Sequence, residues 1–368
     1  MQVAVDVIAV LAVLGTLTLV RNVVYQARRR VRPRPSDVTI SVLIPARNVR
    51  QNLPRLLEAL AAQVRPAEEI IVCDDQSDDG TGNWLAENAE RLGAQWFRAD
   101  PRPPGWCGKN CACHLQAQRA SHEWLLFLDA DTEPQPDLLT ALATVFADTP
   151  ATLVTALPTL KPAGLGDGLV MATNPFTFFT FLLLKDMEGP RFPEFAFANG
   201  QLLGWRRRDC DELRPYEQVR EAVVEDLALA RLVKRRGGLV RVIDARGLLN
   251  VRMYTGTRGA VDGLARLALG SPYVALGFLC LGVVRPLGRL LPLVACASHV
   301  PWAWLPTLLL MLQFGLAAHM VGLPLWYGPL YPAAVVLEMW ARARALRWCL
   351  WRGVEWKGRT YEVPRNLP

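Results

Sequence analysis

Five apolar residues, "WLLFL", run without a break into Asp129 and, one residue later, reach Asp131. A run so short and so apolar reads as a strand buried on both faces, so it delivers two carboxylates to one strand end. The stretch "IIVCDDQSDDGT" repeats the pattern, with Asp74 and Asp75 following a second apolar run. Carboxylates gathered at one edge repel one another unless a cation sits among them. Hard oxygen donors suit Mg2+ or Mn2+, held jointly by carboxylate and a diphosphate. Singly, either pair also reads as a turn or a helix cap, and an isolated Asp-Xaa-Asp is common. Their order, their spacing and their place after buried strands give the pairs meaning.

The elements that would position them alternate regularly. The patterns predict strands over residues 38–44, 69–73, 94–97 and 124–128, and helices over 53–63, 81–92, 111–120 and 136–146. Such alternation implies an α/β domain with a mostly parallel sheet covered on both faces. Ligands of these sheets bind at the carboxyl ends of the strands, where all four carboxylates fall.

The flanks differ in kind. Hydrophobic residues make up 51% of the 368, a high share for a purely soluble enzyme. Residues 3–20 are almost wholly apolar apart from Asp6, and Arg21, Arg28, Arg29, Arg30, Arg32 and Arg34 follow. A cleaved signal would carry its positive charge ahead of the apolar run, so the segment reads as a transmembrane anchor. By the positive-inside rule the N-terminus lies outside and the following domain is cytoplasmic, in a multi-pass protein of the inner membrane. Residues 290–313 and 314–339 read as a membrane hairpin and 267–284 as an interfacial stretch, with Arg285 and Arg289 on the cytoplasmic side. The basic tail holding Arg342, Arg344, Arg347 and Arg352 returns to the cytoplasm. The net charge of +7 gathers beside these segments, which points to anionic lipid and not to nucleic acid. Eight cysteines in a cytoplasmic setting predict free thiols. The expected layout is an anchor over 1–36, a catalytic domain over 37–258, membrane helices over 259–342 and a tail over 343–368.

From about residue 37 to 254 the chain resembles a family-2 glycosyltransferase of GT-A fold. The resemblance is carried, in order, by "SVLIPARN", "CDDQSDDGT", "PPGWCGKNCA", "FLDADTEP", "FANGQLLGWRRRDCDEL" and "VVEDLALARLVKRRG". It implies that Asp74 and Asp75 hold the base and ribose of a nucleotide sugar, that Pro45 also touches the donor, and that Asp129 sits at the diphosphate. Asp131 would bind its metal, Mg2+ or Mn2+, and Asp226 would be the general base of an inverting transfer. Lys109, in a Gly-Trp-Xaa-Gly-Lys segment found in lipid-acting members, would meet the diphosphate. Glu225, Asn199, Gly200, Arg252 and Arg258 are further candidates to touch acceptor or phosphate. "PGWCGKN" is no P-loop, because Pro103 stands where a glycine is needed and Asn110 where Ser or Thr is needed. Cys107, Cys111, Cys113 and His114 fit no common zinc spacing.

The chain-elongating synthases of this family carry Gln-Xaa-Xaa-Arg-Trp before their later membrane helices, and here the region reads "VRMYTGTRGAVDGLARLALGSPY". That implies a single transfer. "VEWKGRTY", "PPGWCGKN" and "RMYTG" resemble the branch acting on membrane lipids, namely carotenoid, hopanoid-associated and ceramide glucosyltransferases. Where that branch often has a Gly-Gly-His, this chain has "RPYEQVRE". The resemblance therefore implies UDP-glucose as donor and a hydrophobic acceptor, a carotenoid first, with ceramide, diacylglycerol or polyprenyl phosphate as alternatives. Trp205, Trp356 and "NPFTFFTFLLL" are candidates to line the acceptor's path. Two rivals from other classes are a non-catalytic scaffold of the same fold and a nucleotidyltransferase. The latter would need a Gly-rich signature that "PARNVRQNLP" lacks.

Overall fold

The computed structural model describes residues 1–269, 284–351, 354–356 and 359–361. The chain divides into two compact units, one of residues 26–159 and 184–251, the other of residues 1–25, 160–183 and 252–368.

The first unit is built on a seven-stranded sheet. Its strands are β1 (Ile40–Ala46), β2 (Glu69–Asp74), β3 (Gln95–Arg98), β4 (Trp124–Leu128), β6 (Leu153–Leu157), β7 (Leu202–Arg206) and β8 (Val240–Asp244), and a short β5 (Thr132–Pro134) lies outside it. The spatial order is β3-β2-β1-β4-β7-β6-β8. β4 falls where the apolar run predicts it, and all five of its residues are buried. The sheet is more mixed than expected: β1, β2, β3 and β4 run parallel, whereas β7 is antiparallel to both β4 and β6. That reversal matters for the site. Because Leu202 pairs with Leu128, the residues just before β7 arrive at the same edge as the carboxyl end of β4.

Apolar side chains from both sheet faces make the core. Trp124 stacks on Phe146 with ring centroids 4.0 Å apart, and Leu43, Phe127, Leu203, Trp205, Tyr216 and Leu229 are buried together. Trp205 is completely buried, so it belongs to this core and not to an acceptor path, which corrects the expectation. Truncating such an aromatic typically costs ~3–5 kcal/mol. The side chain of Trp356 lies outside the described residues.

The second unit is helical, with helices Gln2–Ala27, Leu165–Phe181, Thr257–Leu269, Arg285–Ala297, Trp304–Met320 and Tyr331–Trp351. Buried amides join the first of these to its neighbours. Gln313 Nε2 donates to Ala12 O at 2.6 Å and Thr16 Oγ1 at 3.0 Å, and Asn22 Nδ2 donates to Phe179 O and Leu182 O at 2.8 Å each. The outer face presents Val3, Val7, Val10, Leu14, Leu17, Val20 and Val24, all exposed and spaced three or four apart, which is one stripe of a helix. Among the described residues, Gln2–Ala27 is the one helix long and apolar enough to cross a membrane.

The expected hairpin over 290–313 and 314–339 differs from what is found. The Arg285–Ala297 helix stops short of Pro301, and Trp304–Met320 runs through the expected 313/314 boundary and stops just before Gly322 and Pro324. Proline and glycine set the breaks, not the length of a membrane span. The expected interfacial stretch lies mostly outside the described residues, as does Arg352.

Candidate active site

The site is assembled at the carboxyl edge of the sheet in the first unit. β2 ends on Asp74, which is fully buried. Its Oδ1 accepts the Ser77 N–H at 3.0 Å, while Oδ2 is buried without a hydrogen-bond partner. Arg98 Nε stands 4.0 Å from that oxygen, and a Cβ on Gly82 would come within 2.9 Å of it, so only glycine keeps this space open. The neighbouring loops are laced together. Asp75 N donates to Ala46 O at 2.8 Å, Arg47 Nη1 to Asp75 O at 2.6 Å, and Asn48 N to Ser77 Oγ at 2.9 Å. Pro45 pairs in register with Cys73 just before this turn.

At the end of β4, Asp129 accepts Lys109 Nζ on both oxygens, at 2.7 and 2.9 Å. Lys109 also lies 2.6 Å from Glu225 Oε1. It stands in the first turn of the Gly108–Arg119 helix, whereas Glu225 opens the Glu225–Arg235 helix. Asn110 fixes one to the other: its Nδ2 reaches Val219 O, Arg220 O and Ala222 O at 2.8, 3.2 and 3.0 Å, holding the segment that leads into Glu225. Sequence reasoning missed Asn110, since its acceptors are backbone carbonyls that leave no residue pattern.

Asp226 is half-buried beside this pair. Its Oδ2 accepts Gly200 N–H at 3.0 Å and its Oδ1 accepts Leu227 N–H at 2.8 Å. Burial and the adjacent Glu225 carboxylate push Asp226 up to about 7, against the pull of Lys109 and the two backbone donors. Burial works to lower Lys109, but Asp129 and Glu225 overcome it and hold the ammonium well above the usual lysine range. The approach is tight: a Cβ at Gly200 would lie 3.0 Å from Glu225 Oε1 and 3.1 Å from Lys109 Nζ. Gly200→Val should therefore separate Lys109 from Glu225, lowering stability by ~1–3 kcal/mol and abolishing turnover. Unfolding curves and a transfer assay check both.

The structure thus brings Lys109, Asp129, Gly200, Glu225 and Asp226 into one cluster. β1 lies between β2 and β4, so Asp74 stands two strand spacings away, roughly 10 Å. Asn199 supports the Gly200 turn, taking Thr155 Oγ1 at 2.9 Å through its backbone N–H and Gln201 Oε1 at 2.9 Å through Nδ2. Arg252 and Arg258 belong to the helical unit and are exposed there.

Residues 41–189 match the family model described as glycosyl transferase family 2. This region is a family-2 glycosyltransferase domain. Over 245 residues the chain is 26% identical to a 4,4'-diaponeurosporenoate glycosyltransferase of Staphylococcus haemolyticus, a match that takes in 63% of this chain and 62% of that protein. The chain therefore spans less than two thirds of that relative's length. Among solved structures, the mannosyltransferase PcManGT of Pyrobaculum calidifontis, in complex with GDP-Man and Mn2+, aligns over 92% of this chain and 99% of its own, with a TM-score of 0.54 at 17% identity. This likeness carries the fold, an α/β GT-A architecture with a mixed sheet.

The glycosyltransferase domain offers a metal two carboxylates at most. Among the described residues no group of three His, Cys, Asp or Glu could hold an ion. Asp129 and Asp131, flanking one residue after β4, supply hard oxygen donors, and Asp131 Oδ1 is shielded from solvent. That donor set fits an ion completed by substrate phosphate, which is how Mg2+ is commonly held. Burial raises the Cys107 and Cys113 thiols, and the described cysteines are free.

Proposed function

We propose that the protein is a membrane-bound glycosyltransferase that moves a hexose, glucose, from UDP-glucose to a carotenoid acceptor by a single inverting displacement. The observation that carries this reading is the cluster at Gly200, where a carboxylate raised to about 7 stands beside a lysine locked between two acids. A base poised near neutrality and a cation where a diphosphate would leave are the two things glycosyl transfer needs. The name of the Staphylococcus haemolyticus relative supports a carotenoid acceptor. The long apolar Gln2–Ala27 helix supports membrane attachment, with the catalytic domain on the cytoplasmic side and the later helices adding to the membrane-embedded part.

In this account Asp74 and Asp75 receive the base and ribose, and Pro45 touches the donor beside them. The roughly 10 Å between the ends of β2 and β4 suits a nucleoside at the first and its diphosphate at the second. Asp129 and Asp131 would hold Mg2+ or Mn2+, which, when bound, neutralises the developing charge on the leaving diphosphate. Lys109 adds a second positive charge at that place. Asp226 takes the proton from the acceptor hydroxyl or carboxyl as its oxygen attacks the anomeric carbon, and Gly200 N–H and Leu227 N–H hold the carboxylate on line.

Two outcomes test it. Nucleoside diphosphate must be released in step with glycolipid; release of pyrophosphate would mean nucleotidyl transfer instead. The pH profile follows from Asp226. The base works only when ionised, so kcat should fall as pH drops below about 7 and level off above it. A profile flat from pH 5 to 8 would remove Asp226 from the role.

A further inference from the structure

The helical unit contains a second concentration of charge, and it is buried. Glu338, 1% exposed, pairs with Arg285, with Arg289 at 3.2 Å and with Arg342 at 3.5 Å. Arg285 and Arg289 lie one turn apart on the Arg285–Ala297 helix, while Glu338 and Arg342 lie one turn apart on Tyr331–Trp351. Arg289 is fixed from a second side, its guanidinium carbon 3.7 Å over the ring of Phe176, which packs edge-on against Phe314. Arg285 and Arg289, expected on the cytoplasmic side of a membrane span, have side chains only 10% and 6% exposed.

One carboxylate cannot balance three guanidiniums: three arginines less one glutamate leave +2. Arg285 Nε and Nη1, Arg289 Nη2 and Arg342 Nε are buried without a hydrogen-bond partner among the described residues. Such groups are costly to leave unmade, so the arrangement calls for an anion with several acceptor oxygens. A phosphate monoester carries about −1.5 to −2 at pH 7, and its oxygens match the guanidinium fork. The same helices present exposed apolar residues close by in sequence, Val284 and Leu287 beside Arg285, Val336 and Trp340 beside Glu338.

We propose that Arg285, Arg289 and Arg342 form a phosphate-binding site in the helical unit, separate from the transfer site, for a phosphate carried by a membrane lipid or free in solution. The apolar flanks favour the lipid-borne group, with its chains lying along them. Thermal unfolding of the purified full chain in neutral detergent tests it, with phosphatidic acid, diacylglycerol of the same acyl chains, or inorganic phosphate added at matched ionic strength. The expected result is a saturable rise in Tm with phosphatidic acid, none with diacylglycerol, and a rise at least halved in Arg289→Gln. An equal rise with inorganic phosphate supports the site and makes the free anion its occupant. No saturable rise with either phosphate compound, the same rise with diacylglycerol, or a folded Arg289→Gln with an undiminished rise overturns it. Should Arg289→Gln not fold, the wild-type comparison decides alone.

Discussion

Asp226→Asn is expected to cut transfer by roughly 10²- to 10⁴-fold while leaving donor binding intact, the usual scale for losing a general base. Asparagine is nearly the same shape and still offers one oxygen to Gly200 N–H or Leu227 N–H, so the turn at Gly200 should hold. The substitution carries a second, less obvious consequence. Because folding raises Asp226 to about 7, the folded state keeps a proton that the unfolded chain releases near pH 4. Stability from this group is present below pH 4 and is lost as pH rises toward 7. Asparagine cannot ionise and escapes that loss. The variant should therefore unfold at a higher temperature than wild type at pH 8 and at the same temperature at pH 4. An inactive variant that is also more stable at pH 8 is the signature of a functional carboxylate held against its preference. An active variant, or one less stable at pH 8, would contradict the assignment.

The opposite result is expected at Lys109. Lys109→Met leaves Asp129, Glu225 and Asp226 facing one another without their shared cation, in a place where Lys109 and Glu225 are only 18% and 11% exposed. Removing one partner of a buried pair strands the other, and a loss of about 3 kcal/mol at pH 8 is expected. The loss should shrink at pH 5, where protonation relieves the repulsion. The pH dependence separates electrostatics from mere loss of packing, which would be the same at both values. Donor affinity should also fall, since the diphosphate loses a positive partner; isothermal titration with UDP-glucose checks this, with Lys109→Arg expected to recover part of it.

Much of this site could be read from local pattern. The five-residue run 124–128 is buried strand from end to end, and the carboxylates after it stand at the sheet edge as the run implies. Asp74 likewise closes β2. What the pattern did not contain was pairing direction. "LLGWR" is an apolar run like the others, yet it enters the sheet antiparallel between β4 and β6, and only that reversal carries Gly200 to the end of β4. The bond from Lys109 to Glu225 joins helix starts far apart in sequence, and neither residue signals the other. The pairing of Arg285 and Arg289 with Glu338 was hidden for a related reason. A membrane-flanking arginine looks the same in sequence whether it faces headgroups or folds back on a buried glutamate 49 residues away. Helix breaks in the same region fall at Pro301 and at Gly322 and Pro324, and the last two already interrupt the apolar stretch in the sequence.

The central claim is that a sugar goes from a nucleotide to a membrane lipid at the Gly200 cluster. Mass spectrometry of total lipid extracts tests it most directly, comparing cells without the protein, cells with it and cells with Asp226→Asn at equal abundance. The account predicts a polyene species heavier by one hexose with the wild-type protein alone. Hexose gained on no lipid, or gained equally with Asp226→Asn, would contradict it.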